Sequence, residues 1–231
     1  MTTTRNEQEG YEAIFSSIAH RYDLMKTLLS GGQEPRWKAA MFKRCVPDPP
    51  ERWLDIATGT GEFFRFASDC PDGMMIGFDR NREMLQVARS KNYRGRVFWV
   101  LGDLDDLPFR KESVDLITVG YGLRYCSDIQ RFAHDCFALV RPGGRIFSFD
   151  VGHPSAALKP IWYAYLFCTG TILGTLLHGK PTTYWHLWQT LRAFPGQKQV
   201  CRLFKLAGFQ EVFFHNLLNG MMYGHCAEKD T

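Results

Sequence analysis

Residues 53–64 read WLDIATGTGEFF. A short apolar run (Trp53, Leu54, Ile56) carries one acid, Asp55, and breaks into Gly59-Thr60-Gly61-Glu62. Phe63, Phe64, Phe66 and Ala67 then supply the apolar side of a helix. Strand, glycine turn and helix make the opening unit of a nucleotide-binding α/β sheet. The glycines let a ligand lie against the backbone, where a Cβ would collide. The neighbours narrow the choice of ligand. A dinucleotide fingerprint wants glycine or alanine where Phe64 stands, and no Gly-Lys-Ser/Thr follows. Both the pyrophosphate cradle and the ATP phosphate loop are thereby excluded. What remains is an adenosine ligand without a pyrophosphate, and S-adenosyl-L-methionine (SAM) answers that description.

Outward from this stretch the chain alternates. Strand 52–57 and helix 61–69 lead to strand Met74–Asp79, helix 82–90 and strand Arg96–Leu101. A loop around 103–109 precedes strand 114–119 and helix 129–140. Arg141-Pro142-Gly143-Gly144 predicts a tight turn into strand 145–150. Strands alternating with helices imply parallel βαβ units in a doubly wound sheet, with ligands beyond the carboxyl ends of the strands. Helix 199–208 follows, then strand Glu211–Leu217, Asn219-Gly220 and strand 221–227; Asn-Gly between apolar runs signals an antiparallel hairpin.

Two segments lie outside the alternation. Residues 1–10 are polar and read as frayed, whereas Ile14, Ile18, Tyr22 and Met25 recur at helical spacing. Gly31-Gly32 ends that helix, Pro35 opens another, and 47–50 links to the sheet. Residues 1–50 thus form an amino-terminal helical lid and 51–231 the ligand-binding domain. The second segment, 153–198, is an insertion. Its stretch 161–178, IWYAYLFCTGTILGTLLH, just reaches membrane-spanning length, but its glycines, threonines and place within the sheet favour an apolar helical cap with a membrane-surface role.

The 231 residues suffice for one large α/β domain with an added subdomain, and the net charge of +4 is modest and scattered. Without a basic stripe, no nucleic-acid partner is expected. Seven dispersed cysteines without a CxxC pair or metal spacing read as reduced thiols of a cytoplasmic protein, and no metal is expected.

The candidate site residues fall at strand ends. Asp79, about twenty residues past the glycine turn, can accept from ribose hydroxyls, while Asn81 serves as the helix cap. Asp55 orients the glycine loop or reaches the ligand's amino group. Asp103 is placed for the adenine amino group, with Leu104 packing on the ring. Gly120-Tyr121-Gly122-Leu123-Arg124-Tyr125 follows the fourth strand, where the reactive end of SAM belongs. Arg124 is an electrostatic group first and a base second, because its guanidinium stays protonated. Methylating an aromatic carbon also needs a base of near-neutral pKa to take a ring hydroxyl proton. Of seven histidines, His153, past the fifth strand, and His186, in the aromatic cap, are best placed.

These residues resemble the ubiquinone/menaquinone biosynthesis C-methyltransferases, which are class I SAM-dependent enzymes. The likeness runs from about Ile14 to His225. It includes Arg21-Tyr22-Asp23-Leu24-Met25, Trp37-Lys38, Leu54–Gly61, Gly77-Phe78-Asp79, Leu107-Pro108-Phe109, Gly122-Leu123-Arg124, Arg141–Gly144, Phe194-Pro195, Gly208-Phe209, and Gly220 with His225. Where that family has asparagine after its Gly-Leu-Arg, this chain has Tyr125. Lys26 stands at another family asparagine, Glu34 at a family histidine, and Tyr184-Trp185-His186-Leu187 at its Tyr-x-Tyr-Leu.

The resemblance implies a Rossmann-like class I methyltransferase fold: a mostly parallel doubly wound sheet with a carboxyl-terminal antiparallel hairpin, an amino-terminal helical lid and an inserted apolar cap. It implies C-methylation of a prenylated benzoquinol or naphthoquinol. Expected at the cofactor are Asp55, Ala57, Thr58, Gly59, Gly61, Asp79, Arg80, Met84, Gly102, Asp103, Leu104 and Gly120. Arg124, Tyr125, His153 and His186 are expected in catalysis, and Tyr22, Tyr121, Tyr165, Tyr184 and His225 at the acceptor. A homodimer or a quinone-synthesis assembly fits the same reading. Rival readings are SAM chemistry other than methyl transfer on an apolar aromatic, and a non-catalytic SAM-binding partner in such an assembly.

Overall fold

Seven strands form one sheet in the order β3-β2-β1-β4-β5-β7-β6 in the computed structural model, which describes residues 5–69 and 73–231. The strands are β1 (Arg52–Ile56), β2 (Met74–Asp79), β3 (Arg96–Leu101), β4 (Val114–Gly120), β5 (Val140–Val151), β6 (Glu211–Leu217) and β7 (Met222–Glu228). The first five pair in parallel, and β7 runs antiparallel to both β5 and β6. Strand order reverses between β1 and β4, so a crevice opens beyond their carboxyl ends. The alternation and the hairpin expected from the sequence are both present.

Apolar residues on the two faces of the strands bury the sheet between helical layers. On one face Leu54, Ile56, Ile117 and Ile146 meet Phe132 and Cys136 of α5 (Ile129–Leu139) and Val200 and Phe204 of α8 (Gln197–Ala207). On the other, Trp53, Leu116, Phe147 and Phe149 meet Met41 and Phe42 of α3 (Glu34–Cys45), with Phe63 and Phe64. Phe42 stacks on Trp53 at 5.1 Å between ring centroids. A third cluster joins Ile18 of α1 (Arg5–Ile18) and Met25 of α2 (Tyr22–Leu29) to Met84 of α4 (Arg82–Arg89) and to Tyr184. It spreads the amino-terminal helices over the crevice.

Several local expectations are corrected. The first helix begins at Arg5, so residues 5–10 are ordered helix rather than a frayed tail; residues 1–4 lie outside the described residues. Glu62–Asp69 winds as a 3-10 helix, tighter than the α-helix expected. Arg141–Gly144 forms no separate turn before a strand. It bulges within β5, where β4 advances from Val114 to Leu116 while its partner advances from Val140 to Arg145. Gly143 there takes φ +75°. The thiol reading also changes: Cys45, ending α3, is disulfide-bonded to Cys226 of β7, while Cys126, Cys136, Cys168 and Cys201 are free. Spacing along the chain cannot reveal a pair 181 residues apart. Cys70 lies outside the described residues.

The insertion folds as α6 (Lys159–His178) and α7 (Trp185–Ala193). By length and composition α6 is the one helix among the described residues that meets the measure of a membrane span. One side of it packs on the protein. The Tyr165 hydroxyl donates to the Leu29 carbonyl of α2 at 2.7 Å, and Leu166, Gly170 and Gly174 are buried.

Candidate active site

The glycine loop is held from beneath by a buried acid. Thr58 Oγ1 donates to Asp55 Oδ2 at 2.6 Å and Thr118 Oγ1 to Asp55 Oδ1 at 2.5 Å, and Trp53 Nε1 donates to Thr118 Oγ1 at 2.8 Å. Burial pushes the Asp55 carboxyl up to about 7, against the pull of the two threonine hydrogen bonds. Asp55 therefore fixes the loop and does not line the cavity above it, so its expected ligand contact is corrected. Gly59 (φ +54°) and Gly61 (φ +75°) need the left-handed freedom of glycine. A Cβ on Gly59 would meet nothing within 4 Å, because the loop fronts on the cavity. A Cβ on Gly61 would strike Tyr93 and Trp99, so that glycine serves ring packing and does not contact a ligand.

Asp79 ends β2 at the loop's far side. It accepts from Gly59 N at 2.7 Å and Asn81 N at 2.8 Å, and burial pushes its carboxyl up despite these bonds. Asn81 caps α4 by accepting from Met84 N at 2.9 Å, which frees Asp79 from capping. The first cavity is lined by Ala57, Thr58, Gly59, Asp79, Arg80, Met84, Gly102, Leu104 and Gly120, and Tyr11, Glu12 and Phe15 of α1 also line it. Asp103 is not among its walls. That carboxylate faces Arg80 at 3.7 Å and accepts from Asp105 N at 3.0 Å, as a turn acid would, while Leu104 alone lines the cavity there.

Beyond Thr60 the same cavity reaches Lys26, Lys38 and Glu62. Lys38 Nζ lies 2.8 Å from Glu62 Oε2 and 2.5 Å from Glu34 Oε1, and Lys26 pairs with Glu62 Oε2. Burial opposes charge on Glu62, but the two lysines hold its carboxyl far below the usual range. Burial likewise lowers Lys26, yet Glu62, Glu34 and Asp23 outweigh it and the net shift is upward. Lys38 Nζ also sits 5.1, 5.2 and 5.8 Å from the rings of Phe63, Tyr121 and Phe149. These walls fit SAM: an open backbone at Gly59, a carboxylate for the ribose at Asp79, apolar Met84 and Leu104 for the base, and lysines with Glu62 for the amino-acid end.

A second cavity adjoins the first, and Phe15, Tyr22, Lys26, Tyr121 and Tyr125 line both. Its other walls are mostly apolar: Ile18, Met25, Leu29, Trp37, Val151, Ile161, Trp162, Leu166, Met221 and Met222, with Tyr165, Tyr184 and His186. Arg124 also lines it, and its Nη2 lies 2.9 Å from Asp150 Oδ1 at a buried pair. Arg124 Nε and Nη1, Asp150 Oδ2 and Tyr223 Oη have no hydrogen-bond partner among the described residues. Burial alone would lower the Arg124 pKa, but Asp150 outweighs it and the net shift is up, so the guanidinium stays charged.

The ubiE/COQ5 methyltransferase family model matches residues 1–229. The chain belongs to that family. It is 32% identical to the ubiquinone/menaquinone biosynthesis C-methyltransferase UbiE of Paracoccus denitrificans, covering 99% of this chain and 94% of the relative. The mitochondrial 2-methoxy-6-polyprenyl-1,4-benzoquinol methylase of Caenorhabditis elegans is 29% identical over 95% of this chain and 79% of its own length. Among solved structures, a SAM-dependent methyltransferase from Thermotoga maritima, described as a possible histamine N-methyltransferase, superposes with a TM-score of 0.67. It is 17% identical and covers 94% of this chain and 99% of its own, a likeness of fold. The protein is a SAM-dependent methyltransferase with a Rossmann-like fold.

In this ubiE/COQ5 methyltransferase Arg124, Tyr125, His186, Tyr22, Tyr121, Tyr165 and Tyr184 gather at the second cavity. His153 and His225 do not. His153 bonds the Tyr163 hydroxyl at 3.1 Å and the Phe194 carbonyl at 3.0 Å, outside both cavities. His225 is buried between Ser148 Oγ (3.1 Å) and the Gln197 carbonyl (2.9 Å), and burial pushes it down to about 4. It is a neutral structural histidine between β5 and α8. His186 reaches the cavity, yet burial pushes it down to about 4 and its Nδ1 bonds the Thr183 carbonyl at 3.0 Å, so it is a weak base. Sequence reading missed Lys38, Glu34 and Glu62 as site residues. The family departures at Lys26 and Glu34 were the available signal. Asp79→Ala strips the carboxylate facing the ribose position and is expected to weaken SAM binding by about 1–3 kcal/mol. Isothermal calorimetry showing unchanged affinity would remove Asp79 from the cofactor site.

Proposed function

We propose that this methyltransferase transfers a methyl group to a ring carbon of a prenylated benzoquinol or naphthoquinol. The observation that carries the reading is the second cavity: mostly apolar, joined to the cofactor cavity at Tyr22, Tyr121 and Tyr125, and charged at Lys26, Glu34 and Arg124. Bound SAM supplies an electrophilic methyl group. The chain's own residues position the acceptor ring at the junction and exclude water, which is the main task in an in-line displacement. Arg124 favours the ring oxyanion that loads electron density onto the carbon. Its Nε and Nη1 are buried without a hydrogen-bond partner among the described residues, so the charge is neutralised by Asp150 alone. Tyr125 lies beside it, with the guanidinium carbon 5.9 Å from the ring centroid. Burial pushes the phenol up to about 12, so it remains a hydrogen-bond donor at neutral pH.

A prenyl tail accounts for the rest of the cavity, since each buried methylene contributes about 0.8 kcal/mol. The wall formed by Ile161, Trp162, Tyr165 and Leu166 belongs to α6, whose other face leaves Ile172 56% and Leu176 75% exposed. The reading therefore places α6 against a lipid surface that holds the acceptor, as a peripheral contact. The positive Arg192, stacked 4.5 Å from the Trp188 ring, stands beside it on α7.

Incubation with labelled SAM and a quinol panel, followed by mass spectrometry, tests the function. Turnover is expected to rise with tail length, and equal turnover on tail-less and prenylated quinols would reduce the cavity to core packing. Tyr125→Phe is expected to lower turnover about 10²-fold with SAM affinity unchanged, the typical effect of losing one oxyanion donor. A neutral Phe variant would make Tyr125 a packing residue. For the lipid contact, Leu176→Asp is expected to reduce co-sedimentation with anionic phospholipid vesicles while leaving turnover on a short-tailed quinol intact; undiminished binding would move the contact elsewhere.

A further inference from the structure

We propose that Glu34 is the proton acceptor for the ring hydroxyl of the methyl acceptor, reached through the hydroxyl of Tyr121. The inference rests on the quinol reading above. A quinol carbon becomes nucleophilic when its ring hydroxyl loses a proton, and the cavity must hold a group to take it. Arg124 is held protonated by Asp150, and His186 Nδ1 is taken by the Thr183 carbonyl at 3.0 Å. Among the described residues lining the second cavity, Glu34 is the one carboxylate.

Its setting suits the task. The Glu34 side chain is 5% exposed, and Tyr121 Oη donates to its Oε1 at 3.0 Å. Tyr121 lines both cavities, so its hydroxyl stands where acceptor and cofactor meet. The backbone at Tyr121 has φ +60°, a left-handed conformation that is costly for a bulky residue and that marks functional positions. Burial pushes the Tyr121 phenol well up, so it stays neutral and can accept a proton on one side while passing its own on the other. Lys38 lies against the same Oε1 but is shared with Glu62, so Glu34 does not hold that ammonium alone.

The proton step balances. The acceptor's O–H bond breaks and the ring keeps the electron pair; the proton goes to Tyr121 Oη as the tyrosine's own proton goes to Glu34 Oε1. Once the ring carbon has gained its methyl group, its C–H bond breaks, the ring keeps the electron pair and the proton leaves to solvent as the product departs; the ring oxygen then recovers the proton from Glu34 by the same route. The carboxylate is regenerated, and one proton is released to solvent for each methyl transferred.

Four groups face Glu34: Lys38 from its own helix, Lys26 from α2, Glu62 from the turn after the glycine loop, and Tyr121 from the end of β4. Lys26 is held protonated, Glu62 ionised and Tyr121 neutral. The test measures kcat, KM and SAM affinity for wild type, Glu34→Gln and Tyr121→Phe with a reduced, prenylated benzoquinol. Each variant is expected to lose about 10²-fold or more in kcat at unchanged KM and SAM affinity. The double variant should be no slower than either single one. Wild-type turnover in Tyr121→Phe, which leaves every charge in place, would overturn the relay. So would losses that multiply in the double variant. A prenylated nitrophenol, bound at a pH where the free phenol is neutral, separates this inference from the functional reading. Visible phenolate absorption in wild type and not in Glu34→Gln supports the proton acceptor even if no quinol is methylated; a neutral phenol in wild type overturns it.

Discussion

Glu62, held between Lys26 and Lys38, is the contact on which both cavities depend. The helices α1, α2 and α3 have no strand of their own, and the crevice at the sheet edge would otherwise be open to water. Glu62 belongs to the turn that follows the glycine loop, whereas the lysines belong to α2 and α3. This carboxylate thus helps to join the amino-terminal helices to the nucleotide-binding motif. The chain of charges continues outward, from Lys26 to Asp23 at 3.6 Å and from Asp23 to Lys91 at 2.6 Å, where Thr60 Oγ1 also donates to Asp23 at 2.6 Å. Removing one member of such a buried set leaves an uncompensated charge, which is far more destabilising than the intact network is stabilising.

The same principle governs the acceptor side. Arg124 and Asp150 are both buried, and each retains a polar atom without a partner. Groups of this kind cost free energy when buried without a partner, and the opposite charge of the pair is what offsets that cost here.

The sheet was legible because its strands are short apolar runs bounded by glycine, proline and acids: β2, β3 and β6 fall on the residues that the pattern marks. The glycine loop and Asp79 were legible for the same local reason. What the sequence did not disclose depends on long-range placement. Lys38 and Glu34 sit on a helix with charged neighbours, and only the docking of α3 on Phe63 and Phe149 buries them. Asp55 and Asp103 have the spacing of ligand contacts, yet Thr58 and Thr118 occupy the first, and Arg80 and a turn amide the second. His153 was singled out by its position past a strand and His225 by the resemblance, and backbone carbonyls across the fold claim both.

The disulfide between Cys45 and Cys226 has a mechanical consequence. It bolts the end of α3 to the last strand, so α3, with Lys38 and Glu34, is part of the sheet's rigid frame. Upstream of it, Gly31 and Gly32 both hold positive φ at the turn between α2 and α3. The charged groups on the two sides of that turn are therefore tied down differently. Lys38 and Glu34 ride on a helix anchored to the last strand by a covalent bond, whereas Lys26, on α2, meets Glu62 through an ion pair.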